Sequence, residues 1–471
     1  MSESVRSRGR NFALFSLLAI FGLSATGCSL GSSSAPTAKT QQLVRVWRPN
    51  QAIDPLRSYI AHFQEKNPTT KVSYVDKTSP DTYELDSLRS MTALNGPDIW
   101  SIHADWIGDY SGQAQPLPSK FFWDANAKTG LSQVDAVKKF FPQGIVDQII
   151  DPNNNVLGMP TNVDALHLFI NSRVLSQAND EYSQGAGKTS SKADQIAVST
   201  LLSSPPATWN DVVDMTKYVT KRDGTNISRS TIALGTADNV PEPLDTLQLL
   251  MLQNGARIIS TDHKTALFHV TQQTPSGSDI RPGEKALSFY NSFTDPTKPN
   301  YSWNSTMPSA LDAFGQGKLA IVIAYTDFEK QLNVKYPQLK FTKAPIPQIA
   351  SATIQDPVNF IKFNIDMVTK TADSTNAAFL FLQGYSNQGG SDGLASEQGL
   401  RSPYMDNLKH SNDFISKAIL SGQSVYKVNR VKFDAAFRQM IVDTSQNNIA
   451  ASPALDNAAD TINRLLISPT P

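Results

Sequence analysis

Apolar and polar residues alternate over short runs in some parts of the chain and recur at helical spacing in others. Residues 43–47 (LVRVW) alternate as a half-buried strand does, and Pro49-Asn50-Gln51 ends them in a loop. Residues 55–64 place Leu56, Ile60 and Phe63 three or four positions apart, which predicts an amphipathic helix closed by Asn67-Pro68. A second strand is expected at 71–75, a helix at about 82–94, and a third strand at 99–102, where Gly96-Pro97-Asp98 turns into an apolar run. This alternation predicts the start of a doubly wound α/β sheet. Farther on, Thr208 is placed to cap a helix with Val212, Val213, Met215 and Val219 on one side, and Trp209 reads as a packing residue. Residues 244–252 are apolar on nearly every face, which predicts a buried helix ending at Asn254-Gly255. A strand is expected at 317–324 and two more helices at 432–441 and 454–466. The polar stretch 177–204 contains Gly-Ala-Gly and several Ser, and reads as a loop insertion ending at Pro205-Pro206.

The third strand carries the first candidate chemistry. Residues 96–117 read GPDIWSIHADWIGDYSGQAQPL, so an apolar run stops at His103, Asp105 and Trp106. Ligands of open α/β sheets collect at the carboxyl ends of strands, where loops vary without disturbing the core. A carboxylate there accepts hydrogen bonds from hydroxyls, and an indole covers the C–H face of a pyranose. Asp105 as a helix cap and Trp106 as core account for the same two residues equally well.

A chain of 471 residues exceeds one hydrophobic core and points to two or three domains. Lys plus Arg and Asp plus Glu number 42 each, which leaves no basic excess for a phosphate backbone and excludes nucleic acid as the expected partner. Arg6, Arg8 and Arg10 precede an apolar run at 12–23 that is short for a membrane span, and Ala25-Thr26-Gly27-Cys28 follows. Small residues directly before a cysteine resemble the lipobox of bacterial lipoproteins. The resemblance implies a signal peptide at 1–27, lipid attached to Cys28, a tether at 28–42 rich in Ser, Ala, Pro and Thr, and a body held at the outer face of the cell membrane. With Cys28 lipidated no thiol remains, and the six His do not cluster at metal-ligand spacing, so neither a metal nor a cofactor is expected. His103 and His167 read as structural or solvent-facing.

Four stretches carry a wider resemblance: FQEKNPTTKVSY from Phe63, GPDIWSIHADWIGDY from Gly96, GMPTNVDALHLFINSRVL from Gly158 and ALDAFGQGKLAIVIAYTDF from Ala310. Together and in this order they resemble the family 1 extracellular solute-binding proteins of ATP-driven importers, which include the maltodextrin-binding lipoproteins. The resemblance implies an α/β fold of two lobes, of the type II periplasmic-binding-protein kind, joined by crossing segments with the ligand cleft between them. It places 43–162 plus 359–404 in one lobe and 163–357 plus 405–471 in the other. It further implies ligand contacts at Trp47 and Asn50 after the first strand, Asp105 and Trp106 after the third, Asn162 and Asp164 in the first crossing, Tyr325 and Asp327 after the 317–324 strand, and Asn359 and Phe360 near a return crossing. There this chain lacks the Gly-Trp-Gly type of turn found in many relatives. Trp47 serves equally as a core residue, and Tyr325 as a packing one. The implied ligand is a sugar or another polyhydroxylated small solute, and the implied partner is a membrane permease, with the protein a monomer.

A carbohydrate-active enzyme is the main alternative. Asp105 and Asp164 would serve as a glycosidase pair if about 5 to 9.5 Å apart across a scissile bond. The sequence has no His-Glu-x-x-His or phosphate loop, so a binding protein and not an enzyme is expected. A surface-binding lipoprotein without a transport role is the third reading.

Overall fold

The computed structural model describes residues 41–49, 54–77, 80–124, 129–274, 276–350 and 357–467. The leader, Cys28, most of the tether and Asn50 lie outside them. The first strand, Gln42–Pro49, pairs in parallel with Thr70–Lys77 on one side and Ile99–His103 on the other. Helices Asp54–Lys66 and Pro80–Thr92 make the connections, as parallel neighbours require. Leu56 and Phe63 are buried from the first of these helices, and Tyr83 and Met91 from the second, which follows from their spacing. Beyond Ile99–His103 the sheet reverses: Asn359–Val368 runs antiparallel to it, and Met159–Ala165 pairs with the far side of that late strand.

A second sheet is centred on Leu319–Ala324, antiparallel to His167–Ile170 and parallel to Asn226–Ile232. Its LAIVIA run is apolar at every position because both faces are covered. Ile321 and Ile323 meet the core that holds helices Pro243–Gln253, Arg430–Ser445 and Ala451–Ile467. Leu319, Val322 and Ala324 meet Trp303, Phe314 and Phe328.

Among the described residues the chain passes between the two main cores three times. Ala165 lies in the first and Leu166 in the second; Phe360 lies in the second and Ile361 in the first; Ile419 lies in the first and Val425 in the second. Helices Met405–His410 and Phe414–Leu420 bury Leu408, Ile415 and Ile419 in the first core. Residues after 404 had been expected in the second lobe; short helices carry no mark of which core receives them.

The expected loop at 177–204 is instead two helices, Ser172–Gln184 and Lys192–Ser203. Val174, Leu175 and Ala178 form the buried stripe of one, and Val198 and Leu202 that of the other. Ser191 opens the second by accepting a hydrogen bond from the Asp194 amide at 3.1 Å. A high polar content concealed an amphipathic pattern there. Thr208 caps its helix as expected, in a reciprocal box with Asp211. The buried Trp209 donates its indole N–H to Gln253 at 2.7 Å. Gly255, at φ 87, follows the Pro243–Gln253 helix, and its left-handed backbone lets the Gly255 and Ala256 amides close the last turn.

Candidate functional site

The site begins where the Ile99–His103 strand gives way to two tight turns of helix, Ala104–Trp106 and Ile107–Tyr110. His103, Asp105 and Trp106 from this corner line a cavity of ≈ 420 Å³. The indole of Trp106 is packed among His103, Tyr83, Tyr110 and Trp100, with ring centroids 5.9 to 6.4 Å away. Asp105 does not cap the helix; the residue before the turn is His103, and no side chain bonds there. Among the described residues its carboxylate has no hydrogen-bond or ion-pair partner.

The other walls come from distant parts of the chain. The strand Asn359–Val368 supplies Phe360, Lys362 and Phe363, and the start of helix Pro243–Gln253 supplies Asp245, with Glu242 just before it. The third crossing and the helix after it bring Lys427, Arg430, Asp434 and Arg438. Four carboxylates (Asp105, Glu242, Asp245, Asp434) thus share the cavity with four cations (Lys362, Lys427, Arg430, Arg438). An adjoining cavity of ≈ 170 Å³ shares Glu242 and is lined by Tyr325, Asp327 and Gln331 among others.

These charges are organised in pairs. The Lys362 ammonium lies 3.2 Å from Glu242 and 3.9 Å from the centre of the Tyr325 ring. Burial works against its charge, but Glu242, Asp245 and Asp327 outweigh that and hold its pKa above the ordinary lysine value. Tyr325 donates its hydroxyl to Asp245 at 2.9 Å. Burial lifts Asp245 to about 6; Lys427 and Lys362 oppose this and Glu242 adds to it. Lys427 pairs with Asp434 at 2.8 Å. Arg430 pairs with Glu84 at 2.9 Å and lies 5.2 Å from the centre of the Trp106 ring. The His103 ring is exposed to the cavity but walled by protein, and that burial pushes its pKa down, against the pull of Asp105.

Of the residues proposed from sequence, Asp105, Trp106 and Phe360 line the larger cavity, and Tyr325 and Asp327 the adjoining one. Four others have structural surroundings instead. Trp47 is packed in the first core with the Lys77 ammonium 4.1 Å from its ring. Asn162 donates to Gln398 at 2.9 Å and accepts from the Asn364 amide at 3.3 Å. Asp164 is buried and accepts from the amide and hydroxyl of Thr326 at 2.8 and 3.1 Å. Asn359 donates to the Leu166 carbonyl at 3.2 Å and accepts from the Phe360 amide at 2.8 Å. The polar side chains at the crossings are already engaged by neighbouring backbone and side chains, as buried polar groups must be. Lys362 was the legible omission: it is the one cation in the strand Asn359–Val368. Glu242, Asp245, Lys427 and Arg430 carried no comparable signal.

A cleft bounded by two α/β halves, with the chain crossing three times, defines a two-lobed solute-binding fold of the type II periplasmic kind. The chain belongs to the bacterial extracellular solute-binding proteins, whose family pattern matches residues 50–386. Among solved structures it is similar to the cyclic alpha-maltosyl-1,6-maltose binding protein of Arthrobacter globiformis, with a TM-score of 0.68 at 15% identity over 90% of this chain and 99% of that one. It is also similar to the sugar-binding protein MalE of Xanthomonas citri, with a TM-score of 0.63 at 16% identity over 90% and 97%. A Listeria monocytogenes ABC substrate-binding protein in complex with cycloalternan gives a TM-score of 0.60 at 14% identity over 90% and 99%. No curated protein matches the sequence. No helix among the described residues is long and apolar enough to cross a membrane.

Proposed function

We propose that this chain captures a neutral, hydroxyl-rich solute, a sugar or oligosaccharide, outside the cytoplasm and delivers it to the permease of an ABC importer. The observation that carries this is the unpaired Asp105 beside Trp106, in a cavity lined by four carboxylates, Asp105 among them, and four cations. A sugar hydroxyl both donates and accepts, so a wall with equal numbers of carboxylates and cations serves it from either side. A strongly charged solute would leave one set of these groups facing its own sign. Asp105, Trp106, Lys362, Lys427 and Arg430 are the proposed contacts, with Tyr325 and Asp327 extending them. Because the walls come from both halves, a solute touching both favours the closed arrangement, which is the shape a permease reads. The names of the structural neighbours, which bind maltodextrin-type and other sugars, support the same class of ligand.

The halves proposed as lobes are 41–165 plus 361–423 and 166–360 plus 424–467. The leader is proposed to end before Cys28 and the lipid on Cys28 to hold the protein at the membrane. Intact-mass measurement on the membrane-extracted protein checks this, since cleavage removes 1–27 and the lipid adds mass. Hydrolysis is the less favoured reading because Asp164, held by Thr326, does not line the cavity with Asp105.

A thermal-shift panel of mono- and oligosaccharides on the full-length chain tests the binding. A ligand at a hundred times its Kd adds about 2.7 kcal/mol of stability. Asp105→Ala removes a hydrogen bond to a charged group, about 1.5–3 kcal/mol, so affinity drops roughly ten- to hundredfold. A panel with no shift, or an Asp105→Ala variant that binds as the wild type does, overturns the reading.

A further inference from the structure

Helix Arg430–Ser445 starts in an unusual way. Asn429, which precedes it, has left-handed backbone at φ 46, and its own side chain caps nothing. For a residue other than glycine that conformation costs energy and needs outside support. The support comes from the first half of the molecule, 320 positions earlier in sequence. The Asp109 carboxylate accepts the Asn429 amide through one oxygen and the Arg430 amide through the other, the latter at 3.0 Å. A carboxylate across the first amides of a helix is a strong cap. Beside it, Glu84 accepts from the Arg430 guanidinium at 2.9 Å and from the Tyr110 hydroxyl. Gly108 fits closely against the same turn: a Cβ there would fall 1.8 Å from the Lys427 carbonyl oxygen.

Asp109 lies in the short helix Ile107–Tyr110 that Trp106 immediately precedes, while the helix start it caps carries Arg430, with Lys427 just before it. Phe433 and Phe437, a turn or two farther along, are buried in the second core. We propose that Asp109 is a positioning residue of the cleft: by capping this helix from the other half, it sets Arg430 on Trp106 and Lys427 near Asp105 before any solute arrives. The proposal rests on the binding function above for its purpose, but not for its geometry.

Two variants of the full-length chain test it. Asp109→Ala removes both acceptors, and Asp109→Asn retains one. Hydrogen exchange followed by mass spectrometry reads the amides of Asn429 and Arg430. In Asp109→Ala these amides are expected to exchange roughly fivefold faster or more, the ordinary worth of a cap. Asp109→Asn should recover part of the protection, and amides 433–441 should keep their wild-type rates in both. Unchanged rates at Asn429 and Arg430 in Asp109→Ala overturn the proposal. So does equal loosening along 429–441, which marks general destabilisation. In a parallel arm maltotetraose and the other sugars of the panel are titrated: a sugar that binds the wild type should bind Asp109→Ala several-fold more weakly, and equal affinity also overturns the proposal. If no sugar binds the wild type, the binding function fails while the exchange rates still decide the positioning role.

Discussion

Replacing Asp245 by Asn is expected to stabilise the protein, and only above acidic pH. Asp245 lies at the cavity wall with Tyr325 donating to it, Glu242 near it and Lys362 and Lys427 around it. Burial lifts its pKa from 3.8 to about 6, so the folded chain keeps a proton that the unfolded chain has already released. Ionising Asp245 therefore opposes folding: stability is lost as pH rises from about 4 to 6, and the whole loss persists above 6. At 1.36 kcal/mol per pKa unit the gap corresponds to about 3 kcal/mol. The carboxylate borders a cavity and keeps some contact with water, so about half of that is the better expectation. Asp245→Asn keeps an acceptor for Tyr325 and removes the ionisation. Its thermal midpoint should exceed that of the wild type at pH 7.5 and coincide with it near pH 3.5. A variant less stable than the wild type at pH 7.5, or an offset that does not change with pH, refutes the argument, since the first would mean that the attraction of Lys362 and Lys427 outweighs desolvation and the second that the two cancel.

Arg48 and Asp366 form a fully buried pair at 3.3 Å inside the first core, with Tyr385 donating to Asp366 at 2.6 Å. Arg48→Met leaves that carboxylate without its cation and should cost about 3–5 kcal/mol in thermal unfolding; a loss under about 1 kcal/mol would show that the site relaxes or hydrates. Thr208→Ala removes one half of a capping box and should cost about 1 kcal/mol, read from the same measurement, with no change in the affinity for any sugar that binds.

How much of this was legible in the sequence differed by range. The alternation at 43–47, the spacing of Leu56, Ile60 and Phe63, and the Thr208 cap are local patterns, and each gave the element later found. The 172–203 helices were hidden because their apolar stripes are narrow and their remaining faces rich in Ser, Gln and Asp. The Ile99–Trp106 corner was readable as a strand end bearing an acid and an indole. Its opposite wall was not, Lys362 apart, because Asp245 and Lys427 gain their meaning from residues that only the crossings bring together. Asn162, Asp164 and Asn359 looked like cleft residues for the same reason: a sequence does not show that Thr326 or the Leu166 carbonyl has already engaged them.

The order in which the strands appear along the chain bears on synthesis. Ile99–His103 is made early, but its neighbour in the sheet, Asn359–Val368, follows more than two hundred and fifty residues later. Until then the early strands have a bare edge and an uncovered apolar face, which cannot settle into a finished structure. A nascent chain of this design cannot complete its first sheet until most of its residues have been made.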